Sequence, residues 1–228
     1  FAGLAGPAYS RRAALLSLGQ EPRWHGMLAR RMPQGPGAHV LDVATGTGAV
    51  AERLLRDRGV RVTGIDQSPH MLAAASLRLA GDVRAGRLTL IEAEAERLPC
   101  PDASFDGLTV TYVRRYLEDL PAALAELVRV LRPGAPFASL EFGVPPRALP
   151  RAAWRLYTGA VLPAAGAVAG GPRWWAVGRF LHRSIPGLYA RHPLPALLDM
   201  HRAAGLADLR VWRPSLGGAV IVGGRREG

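Results

Sequence analysis

The segment Leu41-Asp42-Val43-Ala44-Thr45-Gly46-Thr47-Gly48 leaves this chain few folds to choose from. His39 to Ala44 is an apolar run with the length of a buried parallel strand, and it breaks into a turn where Gly46 and Gly48 let the backbone bend tightly beside a ligand. The next apolar run, Val62-Thr63-Gly64-Ile65, ends in Asp66, whose carboxylate can accept hydrogen bonds from both hydroxyls of an adenosine ribose. A strand, a glycine turn, a helix and a second strand ending in an acid describe a nucleoside pocket at the edge of a parallel sheet.

The identity of the nucleoside turns on a charge. Ala51 replaces the third glycine of the dinucleotide fingerprint, a change that fingerprint tolerates, so it does not exclude NAD. Asp42, four positions before Gly46, is expected to face the cofactor. A carboxylate there repels a pyrophosphate but can hold the ammonium of a methionine moiety, directly or through water. The reading therefore favours S-adenosylmethionine (SAM).

Downstream, strand and helix signals alternate. Ala49 to Arg58 reads as a helix ending at Gly59, and Arg61 to Ile65 as a strand. Ser68 suits an N-cap and Pro69 the first position of a helix over Pro69 to Ala80. Further strands are expected at Arg87 to Ile91, Phe105 to Thr111 and Pro136 to Phe142, with a helix over Pro121 to Leu131 closed by Arg132-Pro133-Gly134. After a helix over Leu194 to Ala204, the short connection Pro214 to Gly218 makes the strands Asp208 to Arg213 and Ala219 to Gly223 antiparallel neighbours. The expected fold class is α/β, a Rossmann-like doubly wound seven-stranded sheet, mostly parallel with one antiparallel strand near the C-terminus.

A chain of 228 residues, 49% apolar, buries one sizeable core. One domain over 1–228 is expected, with an N-terminal helical region over about 1–35 and an inserted helical lid over about 145–190. The apolar stretch Leu156 to Gly171 is broken by Pro163 and several glycines, which argues against a membrane span. The chain begins at Phe1 rather than Met, so residues are expected to precede it. Cys100 is the only cysteine and the six histidines lack ligand spacing, so no disulfide and no metal site are expected, and a reducing, cytoplasmic location follows. The net charge of +11 comes from dispersed arginines with no lysine and no interleaved aromatic stripe. That pattern argues against nucleic acid and leaves weak, peripheral attraction to an acidic lipid surface open.

The segment Glu92 to Asp106, with Leu98-Pro99-Cys100-Pro101-Asp102 at its centre, and Val130-Leu131-Arg132-Pro133-Gly134 resemble the class I SAM-dependent methyltransferases. Leu140-Glu141-Phe142, the following Pro-containing loop, Trp154, Tyr157 and Leu162-Pro163 resemble more narrowly the ubiquinone/menaquinone biosynthesis C-methyltransferase family, as does the N-terminal stretch Phe1 to Trp24. The resemblance spans nearly the whole chain. It implies that Asp42, Ala44, Gly46, Thr47, Gly48, Asp66, Gln67, Met71, Glu94, Ala95 and Thr111 form the SAM site. Gln67 and Met71 would flank the adenine, Glu94 and Ala95 would lie at its amine, and Thr111 near the methyl group.

On the acceptor side the chain departs from that family. Tyr9 matches the family tyrosine, but Ser10 replaces the acid after it, and where the family shows Phe-Gly-Leu-Arg-Asn this chain reads Tyr112-Val113-Arg114-Arg115-Tyr116. Arg115 falls on the family arginine and Tyr116 on its asparagine. Arg115, Tyr9 and Glu141 are the expected catalytic or orienting groups, and His25, Tyr112, Tyr116 and Trp174 the expected acceptor contacts. The expected reaction is methyl transfer to a small, hydrophobic, phenolic or quinol-like acceptor, with C-methylation favoured. O- or N-methylation in natural-product tailoring is the alternative, and a catalytically silent SAM-binding regulatory protein is an alternative of another class. The tryptophan-rich segment Trp154 to Leu188 is read as an apolar lid, a dimer contact or both.

Overall fold

The computed structural model describes residues 9–228, with side chains from residue 11 onward. Two helices, α1 (Tyr9–Leu16) and α2 (Gln20–Ala29), lead into β1 (His39–Val43), α3 (Ala49–Arg53) and β2 (Arg61–Asp66). There follow α4 (Pro69–Arg78), α5 (Ala80–Arg84), β3 (Leu88–Glu92), β4 (Gly107–Thr111), α6 (Leu120–Arg129) and β5 (Pro136–Phe142). Three helices, α7 (Ala148–Leu156), α8 (Leu162–Gly170) and α9 (Pro172–Arg191), follow β5, and α10 (Leu194–Ala203), β6 (Leu206–Trp212) and β7 (Ala219–Arg226) complete the chain.

The strands form one sheet, seven-stranded as the sequence anticipates, in the order β3-β2-β1-β4-β5-β7-β6. β1 pairs in parallel with β2 on one side and β4 on the other, while β7 runs antiparallel to both β5 and β6. Successive residues of β1 point to opposite faces, so Leu41 packs with Leu108, Leu127 and Phe137, and Val40 packs with Leu28, Val62 and Leu140. Both faces are covered, which explains why the strand reads as a continuous apolar run. The chain reverses its winding between β1 and β4, and a crevice opens at the carboxyl ends of those two strands.

Several boundaries differ from the sequence reading. The helix starting at Pro69 stops at Arg78, because Leu79 leaves helical geometry at φ −112°, ψ 28° before α5 begins. Ser68 caps α4 as expected, its hydroxyl accepting from the Met71 N–H at 3.4 Å. The helix after the glycine turn passes from α3 into a π-helical turn, Leu54–Arg58, and a second such turn, Tyr157–Val161, joins α7 to α8. Phe105 lies outside β4 and makes an isolated bridge to Leu131. β6 starts two residues earlier than expected and bulges at Asp208, which takes a φ of 53°.

Candidate active site

The β1–α3 turn and the end of β2 are joined through one carboxylate. Asp66 Oδ2 accepts the Gly46 N–H at 2.8 Å, and Oδ1 accepts the Ser68 N–H at 2.9 Å. Burial pushes the Asp66 carboxyl above the usual carboxylate range, while these two N–H donors oppose the shift. A carboxylate has about four lone-pair positions, so two remain for a diol. Gly46 has a φ of +54°, and a Cβ built on it meets no atom within 4 Å, so the missing side chain leaves open space beside the turn.

Two expected cofactor contacts lie behind this surface rather than on it. Asp42 is fully buried beneath the turn, where it accepts from Thr45 Oγ1 at 2.7 Å and from Thr109 Oγ1 at 2.6 Å. Its carboxyl, pushed up to about 6 chiefly by desolvation, ties the turn to β4 and does not line the cavity. Gly48 faces α4: a Cβ there would stand 2.9 Å from Leu79 Cδ1 and 3.4 Å from Ala75 Cβ. Its glycine permits close helix packing.

The crevice opens into a cavity of about 1770 Å³. Ala44, Gly46, Thr47, Asp66, Gln67, Met71, Ala95 and Thr111 line it, whereas Glu94 is exposed and turned away. Glu94 pairs with Arg97 across a tight turn, and its neighbours Ala93, Ala95 and Glu96 line the cavity. Ala44 and Tyr112, at the ends of the neighbouring strands β1 and β4, both take left-handed backbone conformations, with φ of 55° each. Such strain at two non-glycine residues marks the pocket floor as over-determined by its surroundings.

The far wall carries the expected acceptor residues. Arg115 Nη1 donates to Glu141 Oε1 at 2.6 Å, with side-chain exposures of 3% and 0%. The same Glu141 oxygen accepts the Phe142 N–H at 2.9 Å. Arg115 Nε makes no hydrogen bond among the described residues. Tyr112 stacks on Phe142 at 4.3 Å between ring centroids, and the Arg115 guanidinium lies 5.2 Å from the Phe142 ring. Tyr116 stacks on Phe180 of α9 at 6.0 Å, which ties the loop after β4 to that helix, and Trp174 of α9 also lines the cavity. Tyr9 opens α1, but its side chain lies outside the described residues.

Helix α2 closes the cavity from the N-terminal side. His25, buried, sits 6.2 Å from the Tyr112 ring, and its Nε2 is 3.9 Å from Glu21 Oε1. Desolvation, assisted by Arg53 and Arg78, lowers the His25 imidazole to about 4, and burial raises the Glu21 carboxyl to about 7. Glu21 belongs to no sequence motif, although its spacing of four from His25 puts both on one helix face. Arg114, next to Arg115 in the chain, does not line the cavity; it is buried, and neither of its Nη atoms has a hydrogen-bond partner among the described residues.

A reversed strand inserted beside the edge of an otherwise parallel sheet, above a glycine turn clamped to a strand-end acid, is the arrangement of the Rossmann-like methyltransferases, and this chain is a SAM-dependent enzyme of that class. The ubiE/COQ5 methyltransferase family model matches residues 5–221, and the chain belongs to that family. It is 35% identical over 194 residues to the demethylmenaquinone methyltransferase of Thermus thermophilus, covering 84% of this chain and 86% of that one. It is 37% identical over 162 residues to the ubiquinone/menaquinone biosynthesis C-methyltransferase UbiE of Geobacter sulfurreducens, covering 70% of this chain and 63% of the relative's length. Among solved structures, the cyclase SpnF has the same fold, with a TM-score of 0.62 at 21% identity over 90% of this chain and 80% of that one.

Proposed function

We propose that this enzyme methylates a ring carbon of a hydrophobic, phenolic or quinol-like acceptor. The observation that carries this reading is the size and lining of the cavity. At about 1770 Å³ it exceeds the roughly 300–1,000 Å³ of a pocket for one drug-sized ligand, and its outer part is walled by Leu16, Trp154, Tyr157, Leu162, Trp174 and Leu181. Room for a nucleoside at the strand ends and for a large apolar molecule beyond it suits a two-substrate reaction. The names of the relatives, demethylmenaquinone methyltransferase among them, support a quinol-like acceptor.

In this reading Asp66 holds the ribose hydroxyls, Gly46 and Thr47 admit the methionine end, and Gln67 and Met71 flank the adenine. Bound SAM supplies an electrophilic methyl group on a sulfonium. The protein's share is to align the acceptor and exclude water, and positioning of this kind supplies much of a displacement's rate. Arg115, held in place by Glu141, brings its guanidinium charge to the cavity wall, where it stabilises the negative charge that develops on the acceptor oxygen. Tyr112 and Phe142 present a flat aromatic surface against which a ring can lie.

The cavity mouth also favours docking at a lipid surface: Leu18 and Leu77 are exposed at its rim, and Arg11, Arg53 and Arg56 stand among its lining residues. A hydrophobic acceptor would then enter from the bilayer. No helix among the described residues is long and apolar enough to cross a membrane.

The test is methyl transfer from labelled SAM to a panel of reduced naphthoquinols, benzoquinols and simple phenols, with products separated and the methyl position assigned by mass spectrometry and NMR. The reading expects carbon-bound methyl on a quinol. Label found only on oxygen or nitrogen overturns it.

A further inference from the structure

We propose that Glu21 is the catalytic proton acceptor for the hydroxyl of the methyl acceptor, with His25 as its positioning residue. The assignment rests on the phenolic acceptor proposed above. An acceptor carbon ortho to a hydroxyl becomes nucleophilic when that hydroxyl loses its proton, so the cavity must hold a base. Arg115 cannot serve, because a guanidinium has no lone pair to offer.

The other acids and imidazoles on the cavity wall are committed or exposed. Glu52 is salt-bridged to Arg78, and Asp66 holds the Gly46 and Ser68 N–H groups. His70 and Glu96 are exposed. Glu21 and His25 remain, both on the cavity wall, with side-chain exposures of 16% and 9%. They share one face of α2, and the 3.9 Å between His25 Nε2 and Glu21 Oε1 is closed by a small side-chain shift or one water. The His25 ring lies against Tyr112, so the pair stands across the aromatic wall from Arg115.

The electrostatics match these roles. The charged groups that face His25 are Glu21 on its own helix, Arg53 on α3 and Arg78 on α4. Desolvation first, and the two arginines after it, oppose a positive imidazole, so His25 is neutral at physiological pH. Glu21 at about 7 is matched to a base working near neutrality.

The reaction balances as follows. The acceptor O–H proton passes to Glu21. The ring carbon's electron pair forms the new carbon–carbon bond as the sulfur–methyl bond breaks, leaving its pair on sulfur. The ring proton at that carbon goes to water, and Glu21 returns its proton to the oxygen, so one proton is released per methyl transferred.

The experiment compares wild type, Glu21→Gln and His25→Gln by three readouts: SAM affinity by calorimetry, kcat against pH with a quinol acceptor, and the phenolate absorbance of a chromogenic naphthol bound to the enzyme with S-adenosylhomocysteine. Wild-type kcat should rise with pH through about 7. Glu21→Gln should retain SAM affinity, lose that limb, fall about 10²–10⁴-fold in kcat and leave the bound naphthol protonated. His25→Gln should displace the limb with a smaller loss. Unchanged kcat, pH profile and naphthol ionisation in Glu21→Gln overturn the assignment while leaving the proposed function standing. Absence of both turnover and naphthol binding in the wild type overturns the proposed function and this assignment with it.

Discussion

The Gly46 N–H donates to Asp66 Oδ2 at 2.8 Å, although the two residues lie 20 positions apart on different strand ends. The Ser68 N–H on the second oxygen extends the link to the cap of α4. The glycine turn and the strand-end acid therefore form one hydrogen-bonded unit whose geometry is set before any ligand arrives.

Asp66→Ala should weaken SAM binding by about 10- to 100-fold, since two ligand hydrogen bonds of about 1 kcal/mol each disappear and the turn loses its clamp. Calorimetric titration of the variant checks this. An unaltered dissociation constant would move the nucleoside elsewhere.

The two glycines of the turn should respond differently to alanine. Each takes a left-handed conformation that costs a Cβ-bearing residue about 1–2 kcal/mol, but only at Gly48 does the new Cβ collide with Leu79. Gly48→Ala should thus lose more stability in urea, by about 1–3 kcal/mol of added overpacking. Gly46→Ala should lose SAM affinity instead, because its methyl enters the open space beside the turn. Equal stability losses would contradict the packing assigned to Gly48.

Asp42 sets a pH signature. Its carboxyl is raised in the fold to about 6 from an ordinary value of 3.8, so between these values the unfolded chain has released a proton that the folded one keeps. The stability contributed by this group is full below about 3.8, is lost as pH rises through about 6 and stays flat above. The unfolding free energy of wild type minus that of Asp42→Asn should fall across this window and then level. A difference independent of pH would show that the carboxyl is not displaced.

Breaking the Arg115–Glu141 pair from one side should be costly. Glu141→Leu strands a buried guanidinium and should destabilise by about 3–5 kcal/mol in denaturant unfolding. Arg115→Met combined with Glu141→Leu should regain most of that loss while acceptor turnover stays absent and SAM binding persists. Full activity in the double variant would remove Arg115 from the acceptor site.

The alternation of short apolar runs with capped helices made the sheet legible, and the short Pro214 to Gly218 connection fixed the antiparallel pairing of β6 and β7. These signals are local: a strand's period, a Ser-Pro cap and a tight turn act within a few residues. The break at Leu79, the π-helical turns and the bulge at Asp208 carry no such mark, since packing against distant elements produces them.

The site divides in the same way. The sequence by itself determined the glycine turn, the acid at the end of β2 and, through family resemblance, the arginine after β4, because these depend on residue type at short spacing. Tertiary structure alone decided that Thr109, 67 residues from Asp42, would occupy that carboxylate, that Gly48 would serve packing, and that Glu94 would turn outward beside an inward Ala95. It also brought Glu21 and His25 of α2 to the wall shared with Tyr112 and Arg115. Side-chain direction and burial depend on which elements pack together, so long-range contacts chose the roles of residues that the sequence could only place in line.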